Sequence, residues 1–291
     1  MISPPRPKMP PLNSLRAFEA AARLNSIAAA AAELCVTPAA VAQQVKSLEL
    51  WSGEKLFERH PQGVELTHLG ANVLSDFSAA FDVLGSAVQR LRMQAAPFEV
   101  RIAALPSVAQ FFLSPKLPAI RAALPELSIS VSALELKPNL VREPFDLAIF
   151  YAPRNQQEDG LVVGRDTIFP VCAPSIAARL QSVEDLAAVT FLHDTTWHND
   201  WQNWLLAAGS PIIATGPQFS LYSLALEECK NGAGVMIGHG ALVENALKDG
   251  SLVAPFALQL EQEVELKIFF PSSLTAQSAL SRVAEMLAAP A

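Results

Sequence analysis

A short helix, a break of about three residues and a second helix opening on Thr37-Pro38 constrain this sequence more than any other feature. Thr at an N-cap followed by Pro at the first helical position is a helix start, because the missing proline N–H would have no partner there anyway. Upstream, SIAAAAAEL (26–34) opens on Ser26, a good N-cap, and is dense in the strongest helix former. Downstream, AAVAQQVKSLELW puts Val41, Val45 and Leu48 on one apolar stripe and leaves Gln43, Gln44 and Lys46 off it. LRAFEAAARL (15–24) adds an earlier helix with Leu15, Phe18 and Ala22 on one face. Two short helices joined this tightly form a helix-turn-helix, whose second helix enters the DNA major groove.

KLFERHPQGVELT (55–67) reads as a hairpin. Leu56 and Phe57 approach the turn, Pro61-Gln62-Gly63 makes it, and Val64 and Leu66 leave it. A hairpin directly after a recognition helix is the wing of a winged helix. The expected DNA contacts are therefore Thr37, Pro38, Ala39, Gln43, Gln44 and Lys46 from the helix, with Arg59, His60 and Gln62 from the wing.

Thr67 is a further N-cap, and behind it Leu74, Phe77, Phe81, Leu84, Val88 and Leu91 follow at alternating spacings of 3 and 4. That heptad seam fits either a helix packed on its own domain or a dimerisation helix, and its place between two domains favours dimerisation.

The chain's 291 residues are enough for about two domains. With 51% hydrophobic and 17% charged residues it can bury sizeable cores, which excludes wholesale disorder. It has no long uncharged apolar run, and its Pro-stiffened N-terminus lacks the apolar stretch of a signal peptide, so a cytoplasmic protein with no membrane contact is expected. Three widely spaced cysteines, Cys35, Cys172 and Cys229, support neither a disulfide framework nor a zinc site. The net charge of −7 is uneven: residues 1–95 carry nine Lys/Arg against eight Asp/Glu, and the remainder twelve against twenty. The sign asymmetry suits an N-terminal DNA binder, but +1 is a weak electrostatic footprint.

Past Pro97 the pattern alternates strands and helices. Strands are expected at 98–105, 127–134, 145–151, 167–174, 234–238 and 264–270, with helices after Pro106-Ser107 and over 241–250. Such alternation predicts parallel βαβ units in a doubly wound sheet. Ligands of such sheets bind beyond the C-terminal strand ends and at helix N-termini. That rule selects Ser107 and Val108 after the first strand, Leu134 and Glu135 after the second and Tyr151 at the end of the third. It also selects His193 after VTFLHD, Phe219 and Ser220 opening a helix, and His239, whose flanking glycines promise open access.

These N-terminal residues resemble the LysR-type transcriptional regulators: PPLNSLRAFEAAARLNS, VTPAAVAQQVKSLE, KLFER and Leu66-Thr67…Gly70 occur in family order and spacing. DLAIFY, PVCAP, FLHD, DWQNWL, GPQFS and GSLVAPF extend the likeness through nearly all of residues 10–290, toward the branch of the glycine-cleavage activator and the β-lactamase regulator. The resemblance implies an all-α winged helix-turn-helix over 10–66 and a linker or dimerisation helix over 67–95. It implies an α/β effector domain of two-lobed, periplasmic-binding-protein type over 96–291. Lobe I would take about 96–166 and 257–291, and lobe II about 167–256. The implied partners are double-stranded promoter DNA, a small-molecule effector held between the lobes, further copies in a homodimer or homotetramer, and RNA polymerase; no cofactor is implied. Family members commonly carry Gln where this chain has Pro38 and Ser where it has Ala39 and Ala42. Loss of those hydrogen-bonding groups predicts weaker or more salt-sensitive DNA binding.

Rival readings fit less well. NGAGVMIGHG follows a helix rather than a strand, so it is not a dinucleotide fingerprint, and Gly232 reads as a helix C-cap. His193 and His198, five apart with Asp194 between them, lack a third metal ligand at recognisable spacing, and no catalytic motif points to an enzyme. A redox-responsive regulator using Cys172 or Cys229 is the other alternative; Glu227 and Glu228 beside Cys229 oppose it, since neighbouring acids raise a thiol pKa.

Overall fold

A computed structural model describes residues 9–60, 63–155, 160–271 and 279–289. The chain divides into two compact units after Arg92.

The first unit is built on α1 (Leu12–Arg23), α2 (Ile27–Glu33) and α3 (Pro38–Ser52). Ser26 and Thr37 cap as expected, accepting from the backbone N–H groups of Ala29 and Ala40 at 3.1 and 3.2 Å. Asn25 and Cys35, which follow α1 and α2, both take left-handed backbone that turns the chain sharply into the next helix. Phe18, Val41, Val45 and Leu48 form the core with Leu56 and Phe57. The hairpin is β1 (Phe57–His60) paired antiparallel with β2 (Gly63–Leu66). Its turn residues Pro61 and Gln62 lie outside the described residues.

Helix α4 (His68–Ala95) is capped by the Thr67 hydroxyl, which accepts from Gly70 N–H at 3.1 Å and donates to Lys55 O at 2.9 Å. A Cβ on Gly70 would sit 2.4 Å from the Leu56 carbonyl oxygen, so only glycine lets α4 pass so close to the hairpin. The expected seam is split. Leu74, Phe77 and Phe81 pack against the unit's own core, Phe77 edge-on to Phe18 at 5.8 Å, whereas Leu84, Val88 and Leu91 are exposed. The first three therefore do the bland job of anchoring α4 to its own domain.

The second unit carries an eight-stranded sheet in the order β4-β3-β5-β10-β6-β9-β7-β8. Lobe I holds β3 (Glu99–Ala104), β4 (Ser128–Ala133), β5 (Leu147–Pro153) and β10 (Leu260–Phe269); lobe II holds β7 (Phe191–Asp194), β8 (Gln218–Phe219) and β9 (Val235–His239). Strand β6 (Leu161–Cys172) joins them, pairing through Leu161–Arg165 mainly with β10 and through Ile168–Cys172 with β9. The sheet is mixed, which corrects the wholly parallel expectation: β3 and β7 run parallel to their neighbours, but β6 and β10 are antiparallel to theirs. An apolar run reports that a strand is buried, not which way its neighbour points.

The helix after β3 runs as α5 (Pro106–Val108), a π-turn over Ala109–Leu113 and α6 (Ser114–Ala123). Such π-turns recur at functional sites. Helices α7 (Pro174–Ala177), α8 (Asp200–Ala207), α9 (Tyr222–Lys230), α10 (Gly240–Lys248) and α11 (Ala279–Ala288) complete the layers. Trp201 and Trp204 are core residues, their indole N–H groups donating to Leu192 O and Leu258 O. Gly232 has φ +80° and follows the Asn231 C-cap of α9 as the left-handed residue that ends the helix.

Candidate functional site

The recognition helix α3 exposes Thr37, Pro38, Ala39, Gln43 and Lys46 on one side. Gln44 is half-buried, and its carbonyl accepts from Ser14 Oγ at 2.7 Å, which ties α3 to α1. Arg23 is likewise committed: its guanidinium bridges Glu19 at 3.1 Å and Glu33 at 2.5 Å. Ser78 of α4 donates to the same Glu19 oxygen at 2.9 Å.

Glu49, at the far end of α3, organises the wing. One carboxylate oxygen accepts from Leu56 N–H and Phe57 N–H at 2.9 and 3.3 Å, and the other meets Lys55 Nζ at 3.0 Å. Burial pushes this carboxyl up, but those two N–H groups and Lys55 outweigh it and hold the pKa below the usual range. On the wing, His60 Nε2 faces Glu65 at 3.4 Å and Glu58 at 4.0 Å, and Arg59 pairs with Val64 in the ladder. Gln62 lies outside the described residues.

The second site forms where the lobes meet. His239, at the end of β9, is 2% exposed. Its Nδ1 bonds Asp166 Oδ2 at 2.7 Å, and Nε2 lies 3.0 Å from Asp200 Oδ2, off the line of a well-formed hydrogen bond. Asp166 sits at a register shift of β6 against β10, two residues before the pairing with β9 begins at Ile168. Trp197 stacks obliquely on the imidazole at 4.0 Å between centroids, with Tyr151 and Tyr222 at 5.8 and 6.0 Å. Asp194 Oδ1 fixes the Trp197 loop by accepting from Thr196 N–H and Trp197 N–H. Burial alone would depress the His239 pKa, but Asp166 and Asp200 reverse that and hold it at about 9. Burial raises the Asp194 carboxyl and lowers the His193 imidazole, and it drives the Tyr151 phenol far up.

Of the ligand contacts expected from sequence, Tyr151, His193 and His239 come together here. Phe219, on β8, is the parallel partner of Asp194, and Ser220 beside it is exposed. Ser107 is buried with its hydroxyl unpartnered. Val108 is wholly buried and serves the core, Leu134 packs on that core at the end of β4, and Glu135 is exposed. The expectation of open access to His239 is corrected. A Cβ on Gly238 would lie 2.9 Å from Val243 and one on Gly240 2.7 Å from Thr167, so the glycines permit close packing that buries the imidazole. Asp166, Asp200 and Tyr222 were missed, because no local pattern marks residues that converge only through strand register.

Residues 97–289 match the LysR substrate binding domain family, and residues 12–71 match the bacterial regulatory helix-turn-helix proteins of the lysR family. The chain belongs to the LysR family. The glycine cleavage system transcriptional activator of Escherichia coli K12 is 35% identical over 257 residues, 86% of this chain and 83% of that protein. The transcriptional activator AmpR of Rhodobacter capsulatus is 32% identical over 284 residues, 97% of each chain. Among solved structures, the effector domain of Pseudomonas aeruginosa AmpR has a TM-score of 0.55 at 23% identity, covering 65% of this chain and 93% of that one. The LysR family regulator VV2_1132 has a TM-score of 0.54 at 20% identity over 94% of this chain and 97% of that one, a likeness of fold.

This LysR-type protein is thus a DNA-binding transcriptional regulator with an effector-binding domain, not an enzyme. Among the described residues, no helix is long and apolar enough to cross a membrane. Nothing favours redox control. Cys172 and Cys229 are fully buried, and burial pushes their thiols up to about 11 and about 12, far from the reactive thiolate.

Proposed function

We propose that this regulator couples promoter binding to a small molecule held between its lobes, with Ser107, Tyr151, Asp166, His193, Asp194 and His239 facing it. One observation carries the reading. Every buried side-chain polar atom without a hydrogen-bond partner among the described residues belongs to one of those six. An unpaired buried polar group costs about 1–3 kcal/mol, so a fold that gathers Tyr151, Asp166, His193 and Asp194 around His239 is one in which a ligand supplies the partners. Trp197 lines the same space, and closing it about β6 moves one lobe against the other.

In the same reading, Thr37, Pro38, Ala39, Gln43 and Lys46 meet the duplex, assisted by the Gln44 amide and by Arg59, His60 and Gln62 of the wing. The exposed Leu84, Val88 and Leu91 pair two copies of the linker helix into a homodimer that assembles further into a homotetramer. Promoter DNA and RNA polymerase are its cytoplasmic partners.

The test is the pair Ser107→Ala and Tyr151→Phe in the full chain. Removing an unpartnered hydroxyl should leave Tm unchanged or raise it while abolishing effector-dependent change in operator binding. Variants that lose stability yet respond normally to the effector would sink the assignment.

A further inference from the structure

A cavity of about 410 Å3 opens onto this cluster from one side, with Tyr151 and Asp166 among its lining residues and Phe112 as an apolar wall. What these two residues present is specific. Asp166 gives one oxygen to His239 and keeps Oδ1 buried with no partner; the Tyr151 hydroxyl is buried and unpartnered as well. The phenol interacts electrostatically with Asp166 and remains neutral, so it offers lone pairs and one donor but no charge.

The unpartnered carboxylate oxygen of Asp166 opposes an anion as the group bound deepest. The buried cation, His239, is already placed between two carboxylates, Asp166 and Asp200. Lys116 and Arg165 also line the cavity and keep their charge: Lys116 donates to the neutral Ala289 O at 2.9 Å, and Arg165 shares Glu261 with Arg154. A carboxylate or phosphate seated beside Asp166 Oδ1 would meet a like charge in a desolvated place. A group rich in N–H donors meets a carboxylate oxygen, a phenol oxygen and an aromatic wall, the surroundings that favour a compact cation.

We propose that the effector is a small organic ammonium compound whose charged amine is held by Asp166 Oδ1 and Tyr151 Oη. This rests on the reading of the interlobe cluster as the effector site and names the chemistry of its ligand. A carboxylate elsewhere on the same molecule would reach toward Lys116 and Arg165, so α-amino acids fall within the class. With Oδ1 occupied, Asp166 is bonded through both oxygens at the point where β6 passes between lobes, which gives the ligand a direct hold on the crossing.

Matched probes test it on the full chain by thermal shift and isothermal titration: ethanolamine against ethylene glycol, and alanine against lactate. Each pair exchanges an ammonium for a hydroxyl with little change in size. The amines should raise Tm in a concentration-dependent way and bind about tenfold or more tightly than their hydroxyl counterparts, as loss of a charge-assisted hydrogen bond requires. Tyr151→Phe, which keeps the ring and the fold, and Asp166→Asn should each weaken the amines by a similar factor. No shift with either amine, or equal binding within each pair, overturns the proposal. If lactate binds and Tyr151→Phe abolishes that binding, the effector site stands and the ammonium class fails. If amines bind and neither variant affects them, the site itself is misplaced.

Discussion

His239 Nδ1 lies 2.7 Å from Asp166 Oδ2, and both side chains are at most 2% exposed, so a proton shared across β9 and β6 is sealed from solvent. The groups facing it are Asp166 from β6, Asp200 from α8, Asp194 from β7, Tyr151 from β5 and Tyr222 from α9. The folded pKa of about 9 stands above an unfolded value of about 6.5. Such a group stabilises the fold fully below about 6.5 and ceases to do so as pH rises through about 9. Stability should therefore fall by an order of a few kcal/mol between those limits. Thermal denaturation across this range checks it: the slope should vanish in His239→Gln, and an equal slope in that variant refutes the assignment.

The wing depends on one carboxylate. Glu49 gathers Leu56 N–H, Phe57 N–H and Lys55 Nζ, and thereby fixes the hairpin's angle to the recognition helix. Glu49→Ala leaves two backbone donors without their acceptor and should lower stability by about 1–3 kcal/mol. Operator affinity should fall with it, because the wing loses its placement. Glu49→Gln keeps one acceptor oxygen and should retain part of both. A Glu49→Ala protein with unchanged Tm and unchanged operator titration would contradict this role.

The two halves of α4 should respond differently to substitution. Phe77 meets Phe18 edge-on at 5.8 Å inside its own domain, so Phe77→Ala should cost about 2 kcal/mol or more of stability. Leu84, Val88 and Leu91 are 45%, 58% and 68% exposed, and replacing all three by serine removes far less packing than Phe77→Ala. That triple variant should keep its folded helix-turn-helix and lose self-association. Sedimentation that shows an unaltered oligomer would exclude this face as the dimer contact.

Local signals made the first unit readable. Ser26, Thr37-Pro38, Thr67 and the Val41-Val45-Leu48 stripe each act within one or two helical turns, and each does in the structure what its chemistry requires. The split of the seam was hidden, since spacing says which residues share a face but not how far the neighbouring domain extends along it. The second unit was legible as strands and helices but not as pairings, because direction and order depend on contacts remote in sequence. Helix α11 went unread although Leu280, Val283, Ala284 and Leu287 share a buried face. The site was half legible for the same reason. His193 and His239 stand at or next to strand ends, where a topological rule finds them, and Tyr151 lies two residues before the end of β5. Asp166 lies within a long strand and Asp200 begins a helix, and only the crossing of β6 between lobes brings them to His239.

Lys46 and Arg23 separate phosphate contact from scaffold. Lys46 is exposed on the recognition helix, whereas Arg23 is bound to Glu19 and Glu33, and Glu19 in turn holds Ser78 of α4. A lysine that neutralises one phosphate contributes about 0.9 to the slope of log affinity against log salt. Lys46→Ala should reduce the slope by about that amount and weaken all sequences alike, while Gln43→Ala should relax preference at one base and leave the slope unchanged. Arg23→Ala should lower Tm with the slope intact, since the guanidinium braces three helices rather than DNA. Because alanines occupy much of this face, few contacts share the load, and the loss of Lys46 should be felt strongly at raised salt. Operator titrations over a salt series decide the matter: a slope that drops in Arg23→Ala but not in Lys46→Ala would reverse the two roles.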